Sequence, residues 1–394
     1  MRCRRSSRLP DFVPARGEGE APAEPQPVRS PLPRAAPQER RSPGSFAAVN
    51  RCRHLLHCLP VLALLVGNAR GEDRVTIQRR GSTGTMTISG EIEEVTARRL
   101  TLLIQDGKVR RSFPTDDVVS IETTRSESHG RGLQAFAAGR HAEAEQLLLQ
   151  AIDDDVRTWV QQDLYADLIR CAARRSDRLT AGQYFARMIA QEPSSRHWEA
   201  APLIWSAEPI DRELRSAAEG WLASTEHGVR LLGSSILLLD ESKSDEAQRA
   251  LDGLSRNPEV GLQALAQAQS WRLRLAAGDV SATELQTWRQ TVRSMPAAIR
   301  GGPMYVIGRA SAARSDLEQA AADWLWLPLV YDDDAVLAAR ACVDAADALF
   351  RLGRREEAAG LYQEAVDRFA WSTPADDARQ RLKSLSSEGR ADGG

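Results

Sequence analysis

Two kinds of hydrophobic periodicity divide this chain. Between residues 72 and 124 apolar side chains alternate with polar ones. Val75 and Ile77 begin the pattern, followed by Met86 and Ile88, Ile92 and Val95, and Leu100, Leu102 and Ile104. Val109 and Phe113 continue it, and Val118, Val119 and Ile121 end it. A period of two is what a strand with one buried face requires. Asp106-Gly107 predicts a two-residue hairpin turn, since both central positions of that turn need positive φ. Gly81, Gly84 and Gly90 punctuate the earlier strands. From about Gly130 the alternation stops. Ala, Leu, Arg, Glu and Gln dominate, and apolar residues recur every three or four, as on one face of a helix. The pattern therefore reads as mainly α, with antiparallel helix pairs over residues 130–385 behind a small β domain over residues 70–125.

Four or five short strands in so short a stretch bury a core only by curling into a small barrel. The stretch GEIEEVTARRLTLLIQDGKVRRSFPTDDVVSIET, from Gly90 to Thr123, resembles an Sm-like or SH3-like barrel in its succession of strand, turn and strand. It lacks the base-stacking and polar loop residues by which Sm barrels hold RNA. The resemblance therefore implies a structural or protein-contacting module, whose role stays open.

The helical part contains repeats. In Gly132–Ile152, Gly132 is followed seven residues later by Gly139, and Ala144, Leu148 and Ala151 come next. In Cys342–Phe369 the same places are held by Ala346, Gly353, Ala358, Tyr362 and Ala365. Leu164–Pro193 matches with Ala181, Phe185, Met188 and its terminal Pro193, and Met304–Leu327 with Gly308, Ala320, Trp324 and Leu327. This pattern resembles the tetratricopeptide repeat. Small residues there let two helices cross closely, and large ones fill the space against the next hairpin. Two weaker units are Val229–Pro258, with Ala247, Leu251 and Leu254, and Leu262–Pro296, with Trp271, Gly278 and Trp288. The alanines at 144, 181, 247, 320 and 358 leave two long gaps: the second holds the Leu262–Pro296 unit, and in the first an additional helical stretch is expected at about Arg196–Thr225. The resemblance implies a tetratricopeptide-like α-solenoid of six hairpins and an insertion, longer in period than the family. The tail Phe369–Leu382 resembles the ends of repeats in bacterial envelope proteins of this class.

Composition separates the front of the chain from the rest. Residues 1–53 hold nine of the 19 prolines and eleven Arg against five acids, whereas the whole chain of 394 residues carries −2. The remainder is thus acidic, which argues against a nucleic-acid partner. Arg51 and Arg53, the apolar run Leu59–Val66, and Gly67 and Ala69 before a cleavage point have the order of a secretory signal over residues 49–69. The run is too short to span a membrane, which takes roughly 20 residues. Residues 1–48 have a disordered composition. They are a disordered leader or lie before the true start, with Val49 decoded as an initiating GTG codon. Residues 386–394 are expected to form a disordered tail. These features predict export to the periplasm or cell envelope of a bacterium.

The sequence offers little chemistry. The five cysteines, Cys3, Cys52, Cys58, Cys171 and Cys342, form no CxxC pair and no zinc spacing with histidine. Cys171 and Cys342 fall in repeats two and six, which stacking should hold apart, and read as buried apolar residues. Asp153–Asp155 and Asp332–Asp334 lack the alternation and bend glycine of a calcium loop, and read as solvated loop acids. All nine tryptophans lie between Trp159 and Trp371. They read as core, with sugar stacking as the alternative. Nucleotide-binding, zinc-protease and hydrolase motifs are absent. No cofactor, no metal and no catalytic residue is expected.

The function expected is therefore an exported, non-catalytic scaffold that binds a protein or peptide partner in the concave groove of the array. A glycan- or peptidoglycan-associated binding protein is one alternative, and an accessory subunit of an envelope enzyme another. The family pattern places Arg170, Arg174, Arg309, Asp347 and Arg351 on the groove face. Four of the five are Arg, whose planar fork suits a carboxylate. The oligomeric state is left open. The start-site reading is checked by mass spectrometry of the precursor: a first peptide beginning at the Val49 position is expected, and any peptide from residues 1–48 overturns it.

Overall fold

The computed structural model describes residues 72–391 apart from 80–82, 106, 207, 208 and 279, with the backbone alone for 388–391. The expectations for the leader, the signal segment and Asp106 lie outside the described residues. So do residues 392–394 of the tail.

Five strands form one antiparallel sheet: β1 (Asp73–Ile77), β2 (Met86–Val95), β3 (Arg99–Ile104), β4 (Val109–Pro114) and β5 (Val118–Glu122). Their order is β4-β3-β2-β1-β5. β2 serves two partners, pairing with β1 over Met86–Gly90 and with β3 over Glu91–Val95. It bends between them. A side chain on Gly90 would meet the Leu103 carbonyl at 2.3 Å, and the register shifts between Ile92 and Glu94. The bend curls the sheet over a core of Val75, Ile77, Ile92, Val95, Leu100 and Leu102, all buried. Among the described residues no ladder joins β4 to β5.

The helices are α1 (Glu127–Ala137), α2 (His141–Asp154), α3 (Thr158–Arg174), α4 (Arg178–Gln191), α5 (Arg212–Leu222), α6 (His227–Leu237) and α7 (Ser244–Leu254). They continue with α8 (Val260–Ala276), α9 (Ala282–Ser294), α10 (Gly301–Ala313), α11 (Leu317–Val330), α12 (Ala335–Arg351), α13 (Arg355–Arg368) and α14 (Thr373–Ala391). Five hairpins stack: α1 with α2, α3 with α4, α6 with α7, α10 with α11, and α12 with α13, while α8 and α9 each pack on α10 and meet through Trp271 and Trp288. These are five of the six hairpin units read from the sequence. α5 packs on α6, and α14 covers α12 and α13. α14 runs through Ala391, so the first part of the expected tail is helical.

One packing rule repeats. The fourth residue of the second helix is Ala144, Ala181, Ala247, Ala320 or Ala358, each at most 1% exposed. Four residues on stands a large buried side chain: Leu148, Phe185, Leu251, Trp324 or Tyr362. The small residue admits the first helix, and the large one fills the gap above it. A side chain on Gly132 would meet Leu148 at 2.9 Å, and one on Gly308 would meet Trp324 at 2.5 Å. The α8–α9 pair departs from the rule. Leu285 replaces the alanine, and Trp288 stacks on Trp271 with centroids 4.9 Å apart.

The turns between paired helices are also repeated. Gly139, Gly278 and Gly353 have φ of 75°, 72° and 78°, while Ser176 and Ser315 hold the same left-handed state at 59° and 64°. Side-chain caps start several helices: Ser126 for α1, Asp177 for α4, Ser281 for α9, Asp316 for α11 and Asp334 for α12.

A buried ionic joint fixes the sheet to the array. Asp73 Oδ2 accepts from the Ile92 amide at 2.9 Å, and its Oδ1 lies 3.5 Å from Arg157. Arg157 donates to Thr123 Oγ1 at 2.7 Å and to the Thr124 carbonyl at 2.8 Å. It also holds Asp155 through Nε at 2.9 Å and Nη2 at 2.6 Å. Asp155 is buried, so this residue of the first acidic run is structural, while Asp153 and Asp154 are exposed as expected.

Two further expectations are corrected. Of the helical stretch expected at about Arg196–Thr225, α5 fills the second half, but the described residues of 196–211 are not helical apart from a single 3-10 turn at Trp198–Ala200. Nor are repeats two and six far apart. α12 packs on α3, and the Arg174 guanidinium stacks 4.1 Å above the Trp371 ring. Cys171 and Cys342 are nonetheless buried free thiols, each pushed up to about 12 by burial.

Two substitutions test the repeat geometry. Ala358→Leu must force α12 and α13 apart, and is expected to cost about 1–3 kcal/mol, seen as a lower melting temperature. Ser315→Gly relieves the left-handed strain at some cost in chain entropy, with an expected gain of about 0.5–1 kcal/mol. An unchanged melt in either variant contradicts the crossing or the turn.

Candidate functional site

The inner faces of α6, α8 and α10 are not an open groove. The irregular segment 194–206 lies across them as a strap. Trp198 and Trp205 anchor it, at 5% and 6% exposure. Their places are made by glycines at the second position of successive helices. A side chain on Gly228 (α6) would come within 3.1 Å of Trp198, and one on Gly261 (α8) within 2.7 Å. One on Gly302 (α10) would come within 1.9 Å of Trp205. The backbone between the two tryptophans is tied as a ligand would be. The Ile204 amide donates to Ser235 Oγ at 2.9 Å, and the Ile204 carbonyl accepts from Gln269 Nε2 at 3.2 Å. Leu203 and Ile204 are buried beside them.

A charged cluster holds the strap to α3. His197 sits between two carboxylates, with Nε2 2.8 Å from Asp163 Oδ1 and Nδ1 3.1 Å from Glu199 Oε1. A neutral imidazole has one N–H, so ionised carboxylates at both nitrogens require the imidazolium. Burial opposes that charge, yet the hydrogen bonds to Asp163 and Glu199 outweigh it and hold the pKa above 6.5. Asp163 and Glu199 are likewise kept below the usual carboxylate range, against the effect of burial. Arg196 pairs with Asp163 and brings Nε within 3.2 Å of His197 Nε2. Because Asp163 is the closer group, the two cations share its carboxylate. Arg170 bridges Asp167 at 3.0 Å and Glu199 at 3.3 Å.

Where the strap leaves α3, a notch opens toward the start of α12. Its walls include Ile169, Ala173, Pro202 and Val336, and its polar rim holds Arg170, Arg174, Glu199, Asp333 and Asp334. The Arg174 guanidinium lies over both Phe136, at 5.7 Å, and Trp371. None of its N–H groups has a hydrogen-bond acceptor among the described residues.

The five residues expected on the groove face do not form one stripe. Arg170 and Arg174 meet at the notch, but Arg170 is already committed to carboxylates. Asp347 accepts from Tyr362 Oη and lies 3.4 Å from Arg381, so it is a packing residue. Arg309 is half-buried on α10. Arg351 is exposed, about 25 Å along α12 from the notch at 1.5 Å per residue. Sequence reasoning read Trp198 and Trp205 as core, as their burial bears out, but placed them on a helix, and it missed His197 and Asp163. The available signal was the glycine at the second position of three helices.

Among the described residues no cluster of His, Cys, Asp or Glu could hold a metal, and no helix is long and apolar enough to cross a membrane. No protein-family model matches the chain, and no curated protein matches it in sequence.

The strap yields two tests. Gly302→Ala must displace Trp205, and is expected to cost about 1–3 kcal/mol with a red shift in tryptophan emission. Unchanged emission and stability would contradict the contact. The second test concerns pH. With its folded pKa above the unfolded value of 6.5, His197 contributes fully below pH 6.5, and the contribution is lost as pH rises through the folded pKa. His129 and His141 are shifted down by burial and act in the opposite sense, so the comparison must be between variants. The stability difference between wild type and His197→Gln, from urea unfolding, is expected to shrink as pH rises above 6.5. A difference independent of pH removes the imidazolium.

Proposed function

We propose that this protein is an exported, non-catalytic scaffold that binds a protein or peptide partner, and that its array is a tetratricopeptide-like one. The observation that carries this reading is the Arg174 notch. It offers an unclaimed guanidinium fork, pre-oriented by two aromatic rings, above small apolar walls. Such a fork suits a carboxylate on a partner segment, and its ring contacts limit the entropy lost on binding. The strap changes the groove reading in one respect. A partner meets the strap and the notch beside it, not bare first-helix faces.

A second surface favours a protein partner over a glycan. Trp326, Leu329 and Val330 on α11 are 49%, 69% and 53% exposed. Tyr331 stacks near Trp326, with centroids 6.2 Å apart. Adjacent exposed aromatic and aliphatic side chains are typical of protein contacts, whereas a sugar platform needs polar groups around the ring.

The test is capture of bound proteins on the immobilised chain, comparing wild type with Arg174→Glu and, as a control remote from the notch, Arg351→Glu. Loss of a specific partner with Arg174→Glu alone is expected. Capture should also weaken as salt rises, because exposed charges are screened beyond roughly 8–10 Å. A partner retained by Arg174→Glu removes the notch from the site. Quenching of Trp326 emission by soluble glycan would favour the glycan reading.

A further inference from the structure

A second cavity lies farther along the strap and shares no lining residue with the notch. Its apolar walls are Ile204 and Ile210 from the strap region, Ile236 from α6, and Leu239 just beyond it. Arg272 of α8 faces this space and is only 5% exposed. Its Nη1 donates to the Ser235 carbonyl at 2.7 Å and to Gln269 Oε1 at 2.6 Å. Its Nε and Nη2, which form the side-on fork of the guanidinium, have no acceptor among the described residues. Among the described residues Arg272 makes no ion pair either. Burial, together with the positive charges of Arg309 and Arg178, pushes its pKa down to about 9.

Two other charged groups border the cavity, and they satisfy each other. Arg215 lies 2.9 Å from Asp240, whose carboxylate also accepts from the Ser242 amide at 3.0 Å and the Ser242 hydroxyl at 2.8 Å. Asp240 is therefore not the counterion that Arg272 lacks. A buried guanidinium whose bidentate edge is unclaimed is costly by itself, and a carboxylate is the group that matches that edge. The aliphatic walls next to the fork suit hydrocarbon rather than a bare inorganic anion.

We infer that this cavity binds a carboxylate carrying a short branched aliphatic group, with its oxygens on Nε and Nη2 of Arg272 and its hydrocarbon against Ile204, Ile210 and Ile236. A free small acid and the C-terminus of a peptide ending in leucine present the same chemistry.

Thermal unfolding of the full chain tests this with 4-methylpentanoate, with its neutral amide, and with a short leucine-terminated peptide in free-acid and amidated forms. Both carboxylates are expected to raise the melting temperature, by about 2 °C at roughly ten times the Kd, while the amides leave it unchanged. A larger response to the peptide acid identifies a chain terminus as the source, and a larger response to 4-methylpentanoate identifies a free acid. Arg272→Gln should abolish the response. That change also removes the Nη1 bonds, so Leu239→Glu provides a second variant: Leu239 is 41% exposed at the mouth and can change without loss of core. A glutamate there should weaken the carboxylates about tenfold by like-charge repulsion. Equal responses to acid and amide, no response in the wild type, or an undiminished response in Leu239→Glu overturns the proposal.

Discussion

The seating of two indoles on three glycines is the contact around which this array is arranged. In a solenoid of helical hairpins each repeat touches its neighbours, and the inner face is left for something else to cover. Here the chain covers it itself. Trp198 and Trp205 lie where Gly228, Gly261 and Gly302 have no side chain, and the backbone at Ile204 is tied to Ser235 and Gln269. Any residue larger than glycine at position 261 or 302 would collide with a ring held on its other side by the array, and one at 228 would crowd Trp198 and Ile189. The strap therefore behaves as core, and α6, α8 and α10 are positioned by what they share with it as well as by their hairpin partners.

The electrostatics follow from that arrangement. A strap crossing an array brings backbone and charge into a place where water is scarce, and each charge needs an answering group. On the α3 side the answer is complete. Asp163, Asp167 and Glu199 are met by Arg170, Arg196 and a protonated His197. At the sheet the same holds for Asp73, Asp155 and Arg157. On the α8 side, among the described residues, Arg272 meets a carbonyl and an amide where a carboxylate would be stronger. The asymmetry is local, so the net acidity of the body says nothing about it.

The hairpins were legible because their rule is local. An alanine at the fourth position of the second helix and a large residue four later depend only on the partner helix a few residues away, and the five alanines mark the five stacked pairs. The strands were legible for the same reason, since alternation reports one buried face. What could not be read was non-local. Trp198 and Trp205 are seven residues apart, a spacing that also fits one face of a helix, so their segment read as helical. Their true partners are glycines roughly 30 to 100 residues away, each of which looks by itself like an ordinary helix start. The approach of α12 to α3 was missed because stacking rules treat repeats two and six as remote. Of the residues placed on the groove face, Arg174 keeps a free fork, while Asp347 was taken by Tyr362, a contact that a repeat pattern does not specify.

The strap also limits how a partner can be held. A peptide that bound the inner faces directly would have to displace two buried indoles and the Ile204 hydrogen bonds. Burying each large aromatic is worth roughly 1.5–3 kcal/mol, so displacement would consume much of what a short peptide gains. Addition beside the strap costs less. The Arg174 notch and the Trp326 face are already formed, and neither requires the array to open. Arg174 is held in place by Trp371, which stands just ahead of α14 and belongs to the far end of the array. Its orientation therefore depends on the same curvature that brings α12 to α3. A change in how the repeats stack, even one distant from the notch, would move the ring and the fork apart. In this architecture the proposed recognition surface is a product of array closure, so stability and the proposed binding would be coupled through the same contacts.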